Sequence, residues 1–202
     1  MVISLGHFVH DFAKGIVLAD ARRPQAHNMR SGVPFQPGIG PHSEPSTIEL
    51  VMAELAALDT DTYYRYTTGV SYPGNSRLKC DLCLGQPPNW QWAVEVKMLR
   101  FKGDNGKPSD EQLSHLLSPY PEDHSTLTDC EKLARSGLAE REAILIYGFD
   151  HPDRSMDPVI DAFEILARAR LQLGPQVMAS FAGLIHPAHR NGRVFGWELL
   201  RD

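Results

Sequence analysis

The stretch Trp90-Gln91-Trp92-Ala93-Val94-Glu95-Val96-Lys97-Met98-Leu99 decides how the rest of the chain is read. Side chains alternate along an extended strand, so Trp92, Val94, Val96 and Met98 share one face. Ala93, Glu95, Lys97 and Leu99 share the other. Residues 90–101 therefore predict a strand, and from Trp92 to Leu99 it is apolar on both faces except for one acid and one amine. Burying such groups costs desolvation unless something compensates. Either Glu95 and Lys97 are a structural ion pair, with Asp81 solvated, or they belong to a site.

Working outward, Gln86-Pro87-Pro88-Asn89 and Pro73-Gly74-Asn75 are turn sequences. They bound a strand over 78–84, and Tyr63–Tyr72, rich in Tyr, Thr and Val, predicts another before it. Upstream, Leu5, Phe8, Val9, Phe12, Ile16 and Val17 recur at helical spacing over 3–20, with Gly15 a weak point. Residues 22–45 hold five prolines and three glycines, which predicts a long irregular connection. Ser46 with Glu49 forms a capping-box pattern ahead of the stripe Ile48, Val51, Met52, Leu55 and Leu58.

Downstream, Ser109 with Gln112 and Thr126 with Asp129 predict two short helices, the second ending near Gly137. Ala143-Ile144-Leu145-Ile146-Tyr147 reads as a buried strand within 142–149. A periodic helix over 158–173 is stopped by Gly174-Pro175, and strands over 177–185 and 193–199 follow, joined through an Asn191-Gly192 turn. This order predicts an α/β (α+β) fold, a central mixed β-sheet flanked by helices. The 202 residues suit one domain: a helix and Pro/Gly-rich connection over 1–45, a core over 46–149, and a helix and hairpin over 150–202.

No apolar run reaches membrane-spanning length, and the N-terminus lacks the pattern of a secretory signal. Three cysteines, an odd number, argue against a disulfide framework and for a reducing, cytoplasmic setting. Cys80 and Cys83 have the spacing of half a zinc site, but no second Cys or His pair completes one. The net charge of −5 argues against a large basic surface while leaving room for a local one. No phosphate-binding glycine loop with Lys-Ser or Lys-Thr and no nucleophile elbow is present, which disfavours those routes to hydrolysis.

Glu95 and Lys97 project about 6–7 Å apart from one strand face, and the adjoining strand can bring Asp81 beside Glu95. Two carboxylates there, with the Val96 carbonyl as a backbone ligand, make a hard oxygen site suited to Mg²⁺ or Mn²⁺. Phosphodiester cleavage needs a cation on the phosphate, an activated water and a positive group nearby, the last being Lys97.

Asp81, a gap of thirteen residues, then Glu95-Val96-Lys97 resembles the PD-(D/E)XK phosphodiesterase superfamily, the restriction endonuclease-like nucleases, with Cys80 where that family has proline. The order of elements over 46–149, a helix, three strands, a helix and a strand, is similar to that family's core. The resemblance implies hydrolysis of DNA by a metal-activated water, Mg²⁺ (or Mn²⁺) at Asp81 and Glu95, and a homodimer where both strands are cut. It also implies an acid on the first core helix. Glu49 is the expected residue, or else only a cap; Glu54 lies on the other flank and Glu44 precedes the helix. Lys102 and Lys107 in a glycine-flanked loop, and Lys132 and Arg135 on the helix after the motif strand, are the expected substrate contacts. Gln112, His115 and the pair His186 and His189 read as surface residues. The alternatives are a nuclease fold kept as a binding or assembly module without turnover, or an unrelated α+β enzyme with structural Glu95 and Lys97.

Overall fold

The computed structural model describes residues 3–108, 112–120 and 125–201. The elements follow in the order α1 (Leu5–Ala21), α2 (Glu44–Leu58), α3 (Thr60–Tyr63), β1 (Tyr66–Tyr72), β2 (Asn75–Gln86), β3 (Asn89–Leu99), α4 (Gln112–Leu117), α5 (Thr126–Ala134), β4 (Ala139–Phe149), α6 (Asp157–Arg168), β5 (Val177–Ala182) and β6 (Asn191–Leu199). One six-stranded sheet runs β1-β2-β3-β4-β6-β5. β3 and β4 pair in parallel and the other neighbours are antiparallel, so the sheet is mixed, with helices against both faces.

The alternation read in β3 sorts its side chains between two cores. Trp92, Val94, Val96 and Met98 pack with Phe8, Phe12, Ile48 and Val51 from α1 and α2. Ala93 and Leu99 pack with Leu127, Cys130, Ile160 and Phe163 from α5 and α6. Gly15 is the point where α1 meets α2: a Cβ there would lie 2.7 Å from Val51 Cγ1. The glycine that weakens the helix locally lets the two helices cross closely.

Several boundaries differ from expectation. Ser43, not Ser46, caps α2: its hydroxyl accepts from Ser46 N at 3.4 Å. Pro45 sits in the first turn, where its missing N–H costs nothing. Glu44 is therefore the first helical residue, and Glu49 lies within the helix rather than in a capping box. Asp59 caps a short helix over Thr60–Tyr63, which delays β1 to Tyr66. Ser125, not Thr126, caps α5. α6 ends at Arg168, short of the expected 173. The 158–173 periodicity continues past that point because Leu171 and Leu173 still pack on the same core. Ser109 and His124 lie outside the described residues.

Asn191 and Gly192 open β6 instead of forming its turn. A Cβ at Gly192 would meet Gly148 O at 2.0 Å and Phe181 Cζ at 2.4 Å, so this glycine serves close strand packing. The connection before it buries His186 and His189, which are not surface residues. Their rings stack with centroids 4.8 Å apart, and His151 meets His189 edge-on at 5.9 Å. His189 Nε2 lies 3.5 Å from Asp104 Oδ1. Burial holds His151 and His186 below the ordinary histidine pKa.

Asp20, at the end of α1 and 2% exposed, ties the irregular connections to the helix. Its Oδ1 accepts from Ile39 N at 2.8 Å and its Oδ2 from Ile185 N at 2.7 Å. Asp20→Ala strands both donors, at about 1–3 kcal/mol each. Urea denaturation should show a total loss of about 2–5 kcal/mol. Hydrogen exchange should accelerate first at Ile39 and Ile185; an unchanged midpoint would show that the staple carries no stability.

Candidate metal centre

β2 and β3 pair from the Gln86–Asn89 turn, through a register shift between Gly85 and Leu84, down to Leu82 opposite Val94, and no further. Beyond that point two carboxylates take over the ladder. Asp81 Oδ2 accepts from Val96 N at 2.8 Å, and Glu44 Oε2 accepts from Met98 N at 2.5 Å. Asp81 thus points into the opening between the strands. Opposite it on β1, Gly69 has φ +64, and the β1–β2 register steps from Thr68–Leu82 to Val70–Cys80 past it.

Glu95 faces α5 and is 3% exposed. Its Oε1 accepts from the Tyr72 hydroxyl and lies 2.8 Å from Lys132 Nζ. Its carboxyl also lies close enough to that of Asp81 for the two to influence each other. Burial first, then the charges of Asp81 and Asp129, push the Glu95 pKa up to about 8. Burial likewise raises Asp81 and Glu44. Glu95 therefore holds its proton to higher pH than an ordinary glutamate.

Lys97 does not pair with Glu95. Its Nζ lies 3.2 Å from Asp129 Oδ2 and 3.7 Å from Glu44 Oε1. Burial opposes its charge, but Glu44, Asp129 and Asp81 outweigh burial and hold its pKa above the usual lysine value. Lys132 is held up in the same way by Glu95 and Asp129, 2.7 Å from the latter. One turn of α5 thus cross-braces β3: Asp129 to Lys97, Lys132 to Glu95.

Asp81, Glu95 and Lys97 come together, with the Val96 N–H spent on Asp81. Glu49 is exposed and shares a cleft of about 250 Å³ with Asp81, Lys79 and Gly69, without bonding to Glu95 or Lys97. From α2 it is Glu44 that reaches the motif strand. Lys102 is bonded to Asp153 at 2.7 Å and borders a separate cavity with His151. Lys107 is exposed. Arg135 is turned away at the α5 C-cap, its side chain 79% exposed and 3.6 Å from Glu131. Tyr72 and Asp129 were not expected in the site. The one sequence signal for α5 was Asp129 with Lys132, an acid and a base three apart beside the stripe Leu127, Cys130 and Leu133.

The donor set tests the fit of a divalent ion. Among the described residues, Glu44, Asp81, Glu95 and Asp129 face Lys97 and Lys132, four carboxylates against two ammonium groups. These oxygens suit Mg²⁺ or Mn²⁺. The buried thiol Cys80 Sγ instead donates to the Leu82 and Val94 carbonyls, at 3.6 and 3.5 Å. Among the described residues, no three His, Cys, Asp or Glu side chains already converge at metal-holding geometry. Asp81 and Glu95 are the two acids that could hold such an ion, with solvent oxygens completing its shell. No helix among the described residues is long and apolar enough to cross a membrane. Compared with protein family models, curated proteins and solved structures, the chain matches none.

The raised Glu95 pKa has a defined sign. Between about 4.5 and about 8 the folded state binds a proton that the unfolded state has lost, so this group's stabilisation fades as pH rises through that window. Glu95→Gln, a fixed mimic of the protonated acid, should gain on the wild type by on the order of a few kcal/mol from pH 5 to pH 9 without metal. Urea unfolding at both pH values reads the difference; parallel pH dependence would mean that Glu95 ionises normally.

Proposed function

We propose that the chain is a divalent-metal-dependent nuclease that hydrolyses phosphodiester bonds in DNA. The observation that carries this reading is the pairing of half-buried Asp81 with buried Glu95 at the opening between β2 and β3, with Lys97 on the same strand as Glu95. Two acids set side by side in the sheet with surplus negative charge around them are a costly arrangement for structure alone and a natural seat for a cation. The order of elements over 46–149 and the spacing from Asp81 to Glu95-Val96-Lys97 also support a PD-(D/E)XK type of site.

In this reading Asp81 and Glu95 hold Mg²⁺ or Mn²⁺. Bound there, such an ion polarises the phosphate and makes a water molecule more acidic. Lys97 offsets charge that develops on the phosphate and orients the attacking water. Asp129 and Glu44 position Lys97 from two sides. Tyr72 and Lys132 hold Glu95 in place. Lys102 and Lys107, on the loop that continues β3, are proposed to meet the backbone of the nucleic acid.

Cleavage of plasmid, linear and single-stranded DNA, with Mg²⁺ and with Mn²⁺, tests the proposal. Asp81→Ala and Lys97→Ala should each lower the rate by on the order of 10²–10³-fold. Cleavage untouched by both removes the site from the mechanism. Asp129→Asn should lower the rate about tenfold while leaving Mg²⁺ affinity by calorimetry within about threefold, the pattern of a positioning residue. Asp81→Asn should lose both.

A second reading is favoured by one observation, the Lys132 ammonium already seated 2.8 Å from Glu95 Oε1. A chain whose own lysine permanently neutralises the acid would keep the fold as a binding or assembly module. Absence of Mg²⁺ and Mn²⁺ binding at millimolar concentration would select that module.

A further inference from the structure

Four arginines converge on one cavity beyond the metal centre. It has a volume of about 520 Å³ and is bordered by Arg135, Arg168, Arg170 and Arg201. They come from the end of α5, the end of α6, the segment after α6 and the segment after β6. Arg135 follows Lys132 by three residues, about 4.5 Å along a helix axis. Among the described residues, the one carboxylate bordering the cavity is Glu142 of β4.

Neutralising Glu142 does not account for this gathering. Among the four, Arg201 alone is bonded to it, at 3.0 Å, and Glu142 Oε2 has no hydrogen-bond partner. Arg135 and Arg170 share the single carboxylate of Glu131, at 3.6 and 3.0 Å. Arg168 is braced by Glu164 at 2.7 Å and by the carbonyls of Leu173 and Gly174, at 2.7 and 2.9 Å. Four guanidinium groups thus face three carboxylates, in a chain whose net charge is −5. The side chains of Arg135, Arg168 and Arg201 are 79%, 41% and 51% exposed, so unused N–H donors remain open to solvent. A guanidinium carries five donors in a planar fork that matches phosphate oxygens. Bracing by carboxylates and carbonyls orients such forks before a ligand arrives.

We infer that this cavity binds phosphoryl groups, presented either by a nucleic-acid backbone or by a free phosphorylated small molecule. The site is separate from Asp81 and Glu95; only the nucleic-acid source rests on the nuclease reading. Binding requires no divalent ion, because the guanidinium groups supply the charge.

Titration calorimetry with pyrophosphate, in chelator and low salt, tests the inference without any cleavage step. The triple variant Arg135→Ala, Arg170→Ala, Arg201→Ala should bind at least about tenfold more weakly than wild type. Arg77→Ala, an exposed arginine on β2, should not change. Amide exchange of the wild type covers the case in which the triple variant does not fold. Pyrophosphate should protect residues 134–136, 170–172 and 199–201. No binding, equal weakening by Arg77→Ala, or protection elsewhere overturns the inference. A fluorescent oligonucleotide identifies the source: loss in the triple variant assigns the nucleic-acid backbone, and loss for pyrophosphate alone assigns a free ligand. Lys97→Ala should bind pyrophosphate like wild type, so an inactive metal centre and a failed arginine site give different results.

Discussion

The site depends on the place where β2 and β3 stop pairing. Two backbone N–H groups on the free side of β3, from Val96 and Met98, are satisfied by carboxylates instead of by a neighbouring strand. A buried N–H without an acceptor is costly, so the sheet can open there only if something replaces the lost ladder. Asp81 and Glu44 do so, and in the same act the replacement concentrates negative charge at the opening. Structural need and chemical potential therefore reside in the same oxygens.

That concentration shapes the helix packed across it. α5 presents an apolar stripe to the second core, but its flank carries Asp129 and Lys132 toward β3. Each charge on the strand meets the opposite charge on the helix, not its neighbour two residues along. Lys97 is thereby kept charged despite its burial, and Glu95 is kept close to Asp81. A lysine held charged serves as an electrostatic group more readily than as a base at neutral pH.

Much of this was legible in the residues, for identifiable reasons. The period-two pattern of 92–99 assigned both faces of β3 correctly, because that strand is buried on both sides. The helix–sheet order followed from turn chemistry at Pro73-Gly74 and Pro87-Pro88. Other features depend on contacts that no local pattern records. Asp81 lies in an opening rather than on a sheet face, so alternation along β2 cannot predict its direction. Glu44 stands before the helix if Ser46 is the cap and inside its first turn with Ser43 as the cap, and both serines fit the local rules. Asp129 looked like part of a cap until the helix was laid on β3. His186 and His189 looked exposed because their loop is polar, yet Gly40 closes over His189 so tightly that a Cβ would lie 2.7 Å from its ring.

The carboxylate of Asp20 joins segments from opposite ends of the chain: its partner Ile185 lies 165 residues away. Closing so large a loop costs entropy that local contacts cannot return, and topologies dominated by distant pairings fold slowly. The end of α1 can therefore reach its final hydrogen-bonded state only after residue 185 has been synthesised. During translation Asp20 can meet Ile39 early, but it stays without its second donor until the segment that carries Ile185 has emerged.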